Sequence, residues 1–339
     1  MRYGQHTISD TDLDLKLLLK RGALLAAANW QLVAIQLTAR TTFQVLLAVP
    51  IVGAAILVAV LLGTDVVELV QGGLRDIFTT IASTLLSQPV ALVAFGAAFA
   101  IVLLGGSVLM FLVKGGTMDV LLAANRAVGP IERGPLTLEA VRAGSQFTLQ
   151  RFTNGCARLF RRYLALGLLL MLAYGLSGGA YLAFVVYGYR AAGDRVLLIQ
   201  WTFIAALAAG LLMTWITLLN LFYLLLQMAM AHDDVGVTDA VVAVARFVRA
   251  EFCHLAGVFL VVLGLVIAAT LASALAWSGV GLIAFVPLVG LAVLPAQVGA
   301  LLVRGLIFEY LGLTSLGAYL TLYRAHDERR QAASAAGDE

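Results

Sequence analysis

The chain has 339 residues, of which 62% are hydrophobic and only 12% charged, and its formal net charge is +3. A soluble globular domain is about half apolar and about a quarter charged, so this composition excludes an ordinary soluble domain and indicates a protein that has lipid as its solvent. The small net charge is not the basic excess typical of nucleic-acid-binding proteins, and we expect no nucleic-acid partner.

Residues 1–42 differ from the rest of the chain. Asp10, Asp12 and Asp14 stand where a cleavable signal peptide would have a basic tip and an apolar core, so we expect the first spanning helix to act as its own insertion signal. We interpret residues 15–42 as an interfacial elbow helix at the end of a cytoplasmic N-terminus. A seventh span is the alternative, although it would place several amide side chains in lipid.

Long stretches without Asp, Glu, Lys or Arg follow this segment. An apolar run of about 20 residues is long enough to cross a bilayer, and five charge-free gaps hold six such runs. The sequence therefore predicts an all-α, polytopic membrane protein with about six transmembrane helices. We place them at 43–63, 90–113, 163–188, 198–230, 254–276 and 281–303.

The basic residues predict the orientation. With the N-terminus inside, Arg75, Arg190 and Arg195 are the only three of the 22 Lys and Arg residues that fall in outer segments. Such a bias marks the cytoplasmic side, so we expect a multi-pass protein of the plasma (inner) membrane with both termini cytoplasmic. The outer segment 64–89 has apolar residues at helical spacing and is predicted to form two short amphipathic helices.

A Gly–Thr turn follows each even-numbered span, which suggests an internal repeat. The turns contain Thr137, Thr238 and Thr314, and an amphipathic stretch follows each of them. Glycine often ends a helix and threonine often caps the next one, so we predict these threonines to be helix caps. The hairpin repeats would cover about 43–160, 161–253 and 254–330, leaving 331–339 as a flexible tail. The alternative is that any protein built from helical hairpins needs capped helices at its turns.

Uncharged polar residues recur at membrane depth. Thr214, Thr217, Asn220 and Gln227 lie at helical spacing in the fourth span, and Gln297 lies in the sixth. They indicate either a hydrogen-bonded seam between helices or the lining of a cavity for a small polar or amphiphilic ligand.

The sixth span is interrupted by three helix-breaking residues. Pro287, Gly290 and Pro295 fall within it or at its edge. Broken helices mark binding sites in many transporters, so these residues are a candidate hinge. Proline is also common in membrane helices that have no such role.

No catalytic motif is present in the sequence, and we predict neither enzymatic activity nor a cofactor. The segment His232-Asp233-Asp234 could converge with Cys253-His254 on a metal, but the spacing matches no ligand pattern, so we predict no metal. An intramembrane enzyme would need acid–base groups in its spans. The charged residues nearest to membrane depth are Lys114, Arg304 and Glu309, and we expect Arg304 and Glu309 to form a loose interfacial pair.

The segment that leads into the fifth span carries a resemblance. It contains AHDDVGVTDA at 231–240 and RFVRAEF at 246–252. Over about residues 90–330 this pattern resembles a loose group of six-span bacterial inner-membrane proteins of unknown function, which includes the membrane domain attached to some glycerophosphodiester phosphodiesterases. The resemblance implies a bacterial plasma-membrane protein. It implies no reaction, because no phosphodiesterase domain is present.

These observations favour a non-enzymatic scaffold or accessory subunit. Its partners would be membrane lipids and a protein at the cytoplasmic face. The alternative is a carrier for a lipid or an amphiphilic small molecule, in which the polar residues of the fourth span and the interrupted sixth span would face one cavity.

Overall fold

The computed structural model describes residues 14–62, 89–134, 137–191, 195–284 and 289–337. These residues form helices and no strand, which confirms the predicted all-α class. Residues 64–88 of the predicted outer segment and Pro287 lie outside the described residues. The helices are α1 (Leu15–Ala28), α2 (Trp30–Leu62), α3 (Pro89–Ala127), α4 (Leu138–Gly144), α5 (Leu149–Ala191), α6 (Arg195–His232), α7 (Val237–Ala250), α8 (Phe252–Ala284) and α9 (Val289–Gly337).

Six of the described helices are long and apolar enough to cross a membrane, namely α2, α3, α5, α6, α8 and α9. In the described part of the chain, the number of candidate spans therefore equals the predicted number. Several helices are much longer than a bilayer requires. α5, with 43 residues, is about 65 Å long at roughly 1.5 Å per residue, whereas a hydrocarbon core is about 30 Å thick. The spanning helices therefore continue beyond the membrane.

A break at Asn29 divides the predicted elbow helix. Asn29 has φ −115° and ψ 46°, outside the helical region, so α1 ends before it and α2 begins directly after it. The candidate span of α2 starts at Trp30, upstream of the predicted start at residue 43. The Asn29 side chain stabilises the break, because its Nδ2 donates to the Leu25 and Gly144 carbonyls and its Oδ1 accepts from the Gln146 amide.

The three predicted threonine caps have three different outcomes. Thr137 directly precedes α4, and its carbonyl accepts from the Val141 amide at 3.2 Å, as an N-cap carbonyl does. Thr238 is the second residue of α7, whose N-cap is Gly236, so the prediction that Thr238 caps this helix is wrong. Thr314 lies inside α9, so the prediction that it caps a helix is wrong.

α9 continues through the third Gly–Thr turn because of its packing. Gly312 inside a helix costs about 1 kcal/mol relative to alanine. Most residues from Leu313 to Ala325 are buried against neighbouring helices, and burying a large apolar side chain is worth roughly 1.5–3 kcal/mol. Packing therefore outweighs the local preference for a turn. Of the predicted hinge, Gly290 lies in the first turn of α9 and Pro295 lies inside the helix.

The chain divides into two compact units, residues 1–34 with 114–339, and residues 35–113. In the second unit α2 and α3 approach each other where the Phe43 ring lies against Gly106, because a Cβ on that glycine would collide with the ring. The remaining description concerns the first unit.

The packed core of the first unit is concentrated in one layer. We call this layer the platform, and it consists of residues 15–34, 114–134, 137–167, 223–258 and 310–329. Among the described residues of this unit, Ala205 is the one buried apolar residue outside the platform. Elsewhere the spans expose large apolar side chains, such as Phe203 and Met213. Lipid is as apolar as leucine, so such faces need no protein partner.

A close helix crossing anchors α1 on α9 within the platform. A Cβ on Gly22 would collide with the Thr314 carbonyl oxygen and approach the Ala318 nitrogen to 2.9 Å. A Cβ on Gly317 would in turn lie 2.9 Å from the Cα of Gly22. Because these are backbone atoms, only glycine at both positions allows this approach.

We expect Gly22→Ala to destabilise the protein by about 1–3 kcal/mol, the usual cost of overpacking a tight contact. The measurement is equilibrium unfolding in mixed micelles of dodecyl maltoside and sodium dodecyl sulfate. The matched control is Gly175→Ala inside α5, where an added Cβ meets no atom within 4 Å. Alanine is the better helix former by up to about 1 kcal/mol, so the control is expected to be neutral or stabilising. Equal losses in both variants would contradict the crossing.

Candidate functional site

The threonines of the predicted polar seam bond to their own helix. Thr214 donates to the Gly210 carbonyl at 3.0 Å, and Thr217 donates to the Met213 carbonyl at 2.8 Å. Both therefore satisfy their hydroxyl protons without a partner helix, which is how such residues are accommodated in membrane helices.

Asn220 and Gln227 meet tyrosines of α5. Tyr174 donates to Asn220 Oδ1 at 2.5 Å, and Tyr163 donates to the Gln227 carbonyl oxygen at 2.8 Å. Farther along the same pair of helices, Tyr181 donates to the Ala205 carbonyl. The contacts form a ladder that joins α5 to α6. Asn220 takes part in it through its side chain, whereas Gln227 and Ala205 take part through their backbone carbonyls.

The α5 tyrosines were missed as partners of the seam, although a signal for them exists. Tyr163, Tyr174 and Tyr181 are 11 and 7 residues apart, and at about 100° per residue these spacings return to the same helix face.

A groove between α6 and α8 contains two of the predicted cavity residues. It has a volume of about 380 Å³. Its lining consists of Gly210, Met213, Thr214, Thr217, Leu218, Phe259 and Leu263. Asn220, Gln227 and Gln297 are not among the lining residues. Gln227 is buried in the platform and Gln297 is half-buried on α9, so the five residues do not line one shared cavity.

Arg21 closes the carboxyl end of α3. Its Nε donates to Asn125 Oδ1, and its two Nη atoms donate to the carbonyls of Asn125, Val128 and Gly129 and to Glu132 Oε2, all at 3.0–3.2 Å. These contacts use all five N–H donors of the guanidinium. A helix end leaves up to four carbonyls without partners, and a cation at that end also interacts favourably with the helix dipole.

Two further cations converge on the same helix end. Lys20 Nζ donates to the Glu132 carbonyl at 2.7 Å, and Arg324 Nη1 donates to the Asn125 carbonyl at 2.8 Å. These contacts therefore join α1 and α9 to backbone carbonyls at the end of α3 and in the residues that follow it.

A second polar cluster joins α6 to α9. His232 Nδ1 lies 2.7 Å from Asp233 Oδ1, and the Tyr323 hydroxyl donates to Asp233 Oδ2 at 2.6 Å. Asp234 adopts a φ of 55°, in the left-handed region that Asp tolerates better than most residues, and accepts from Arg162 Nη1 at 2.6 Å.

The groups around Asp233 lower the pKa of its carboxyl group. Partial burial by itself would raise the pKa of the carboxyl group, but the hydrogen bonds from His232 and Tyr323, with the nearby positive charge of Arg330, outweigh burial and place the pKa below its usual value. Asp233 is thus an anion at neutral pH that holds the start of the α6–α7 turn against α9.

A third cluster surrounds Glu251, between α7 and α8. Its carboxylate is buried, accepts from Arg329 Nη2 at 2.6 Å and lies 3.1 Å from His254 Nδ1. The His326 ring lies farther away, with Nδ1 at 3.8 Å. No group of three or more His, Cys, Asp or Glu residues that could hold a metal occurs in the part of the chain that the structure describes.

The expected pair between Arg304 and Glu309 is replaced by other contacts. The Arg304 guanidinium lies over the Phe308 ring, 5.7 Å from its centroid. Glu309 instead acts electrostatically on Lys114 of α3, whose Nζ lies 4.9 Å from the centroid of the Tyr223 ring. Lys114 therefore links α3 to α6 and α9, whereas the Arg304 contact stays within α9.

The charged groups of these clusters therefore bond to one another and to helix ends. Such an arrangement fixes helices at defined positions, and the site is best described as the polar framework of the platform. No protein-family model matches the chain, and comparisons with curated proteins and with solved structures gave no match either.

We expect Arg21→Met to cost roughly 3–5 kcal/mol of unfolding free energy, the usual loss when one partner of a buried ion pair is removed. The measurement is unfolding in the same mixed micelles. Arg142→Met is the matched control, because Arg142 is exposed on α4, and surface changes usually stay within about 0.5 kcal/mol. A similar, small effect of both substitutions would refute the role of Arg21.

The lowered pKa of Asp233 predicts a pH-dependent contribution to stability. A folded-state pKa below the unfolded value of about 3.9 gives stability that is present above that value and is lost as the pH falls through the folded pKa. We therefore expect the difference in stability between the wild type and Asp233→Asn to stay constant from about pH 7 to 5 and to shrink below about pH 4.

Thermal unfolding in dodecyl maltoside across this pH range measures the effect. Tyr323→Phe removes one hydrogen bond to Asp233 and should reduce the pH dependence. The control is Asp327→Asn, a half-buried position on α9 whose carboxylate accepts from Gln331. A wild-type advantage that grows as the pH falls below 4 would contradict the assignment.

Proposed function

We propose that this chain is a non-enzymatic scaffold or accessory subunit of the plasma membrane, which holds a protein partner at the cytoplasmic face. The position of the packed core supports this proposal. Buried residues and polar ties are concentrated in the platform, whereas the spans expose apolar side chains along their length. A protein built in this way maintains a surface, since its rigid part lies at the ends of the spans.

The orientation is part of the proposal. α1 and the 310–329 part of α9 both belong to the platform, so both ends of the described chain lie on the platform side of the first unit. The platform also contains most of the basic residues, including those that close α3. By the positive-inside bias, this side faces the cytoplasm, and α7 lies at the membrane surface, as expected for a membrane-surface helix.

Two exposed apolar side chains give the platform a candidate docking patch. Leu138 begins α4 and is 80% exposed, and Leu149 begins α5 and is 70% exposed. The Asn29 side chain fixes the junction between them, through its bonds to Gly144 and Gln146. Exposed leucines at two helix starts that flank a fixed junction are candidate contacts for another protein, if together they form one apolar surface. We call Leu138 and Leu149 the leucine patch.

A carrier for a lipid or amphiphile is the second candidate, and the groove between α6 and α8 favours it. The groove offers an apolar surface with two threonine hydroxyls. A carrier would have to move its ligand between leaflets, so reconstituted protein would accelerate the exchange of a fluorescent phospholipid across a liposome membrane.

A photo-crosslinking experiment tests the scaffold proposal. Benzoylphenylalanine is placed at Leu138, at Leu149 and, as a control, at Glu328, which is exposed on α9. The expected result in intact cells is one protein adduct of the same mass from both leucine positions and none from Glu328. Leu138→Asp combined with the probe at 149 should remove the adduct.

Two outcomes would contradict the scaffold proposal. Adducts with lipid alone at both leucine positions would identify the leucine patch as a membrane anchor. Labelling of cysteines introduced at 138 and 149 by an impermeant maleimide in spheroplasts would place the platform outside the cell. Accelerated lipid exchange in liposomes would then favour the carrier.

A further inference from the structure

Two hollows of the first unit share one face of α8. The first is the groove between α6 and α8. The second is a pocket of about 410 Å³ at the start of α8, and its lining consists of Arg249, Ala250, Glu251, Phe252, Cys253, His254 and Arg329.

One stripe of α8 connects the two hollows. Phe252 lines the pocket, and Phe259 and Leu263 line the groove. At about 100° per residue, Phe259 and Leu263 lie within roughly 20° of Phe252 around the helix, one on either side, and the three positions extend over about 16 Å along its axis. The apolar surface therefore continues from the pocket into the groove.

The pocket lies at the level where α8 enters the membrane. The candidate span of this helix begins at Phe252, and Phe252 is 64% exposed. The groove begins at Phe259, about 10 Å farther along the helix. A molecule that fills both hollows would therefore have its polar end at the membrane surface and an apolar chain in the hydrocarbon layer.

The charges of the pocket favour an anionic polar end. The Glu251 carboxylate is buried and is balanced by Arg329 at 2.6 Å. Arg249 is exposed, and it has no hydrogen bond or ion pair with the residues that the structure describes. His254 directs Nδ1 to Glu251, which leaves Nε2 for a second contact.

We propose that this stripe of α8 is the binding site of one anionic phospholipid. Arg249 binds the headgroup phosphate with His254 beside it, and one acyl chain lies over Phe252 and Phe259 in the groove. A zwitterionic lipid carries its own cation, which competes with Arg249 for the phosphate. This proposal goes beyond the scaffold function and stands independently of it.

Lipid titration of the full chain tests the proposal. The protein is purified in dodecyl maltoside and titrated with dioleoyl phosphatidylglycerol, with dioleoyl phosphatidylcholine and with inorganic phosphate. Binding is measured by native mass spectrometry and by the shift in Tm. We expect one phosphatidylglycerol molecule to bind more tightly than phosphatidylcholine, and we expect inorganic phosphate alone to cause no shift.

Arg249→Gln tests the headgroup contact. It should weaken phosphatidylglycerol binding about tenfold, the loss expected when one charge-assisted contact is removed. Arg142→Gln, at an exposed arginine of α4, removes the same charge outside the pocket and should leave binding unchanged. Equal weakening in both variants would indicate general charge attraction and overturn the proposal.

Gly210→Leu tests the acyl-chain contact. An added Cβ at Gly210 meets no atom within 4 Å, so leucine should fill the groove without disturbing the fold and weaken lipid binding. Gly175→Leu is the control, because Gly175 has equal space and does not line the groove. Unchanged binding in Gly210→Leu, or equal binding of both lipids by the wild type, would overturn the proposal.

A photoactivatable phosphatidylglycerol provides a measurement that does not depend on any variant. The wild-type protein should be labelled within residues 249–263, at the end of α7 and the start of α8, or on the facing residues of α6. Labelling confined to other helices would overturn the proposal, and a shift caused by inorganic phosphate alone would assign the pocket to a soluble anion.

Discussion

The closure of α3 by Arg21 is the contact on which the rest of the platform depends. A helix that leaves the membrane ends in carbonyls without partners, and leaving such groups buried and unbonded costs about 1–3 kcal/mol each. The Arg21 guanidinium binds the Asn125 carbonyl in the last turn of α3 and the Val128 and Gly129 carbonyls just after it. It also binds the side chains of Asn125 and Glu132. Because Arg21 belongs to α1, the same contact fixes α1 at the place where Gly22 and Gly317 cross. α9 is thereby held against α1.

The platform and the spans differ in the solvent that surrounds them, and only the platform must bury its apolar side chains away from water. Apolar side chains gain little by leaving lipid for a protein interior, so exposed faces on the spans are stable in a bilayer. At the membrane boundary the solvent becomes water, and apolar side chains must be buried there. The dense core of Leu25, Leu159 and Phe247 therefore forms at the ends of the helices. Polar ties such as that of Glu251 and Arg329 fix its geometry.

The sequence predicts the class of this fold well and its inner organisation less well. Helical class and the number of spans follow from charge-free runs, since the bilayer sets both their length and their composition. The start of α2 at Trp30 and the continuity of α9 through Thr314 were not predictable from local pattern, because Asn29 bonds to α4 and Thr314 packs against α1. Both are contacts between residues that are distant in sequence. The spacing of the α5 tyrosines could have predicted that they share one helix face. Their partners on α6 could not be predicted, because they depend on how α5 and α6 are aligned along their axes.

The three Gly–Thr segments show how one local pattern can have different structural outcomes. Around Thr137 and Gly236 the chain turns, and the following helices α4 and α7 pack on the platform. At Gly312 the chain has the same local signal, but α1 covers the next turns of α9, so a break there would lose the Gly22–Gly317 crossing and the Tyr310 bond to the Ala23 carbonyl. α1 therefore completes the platform at this place, and the third segment remains part of α9.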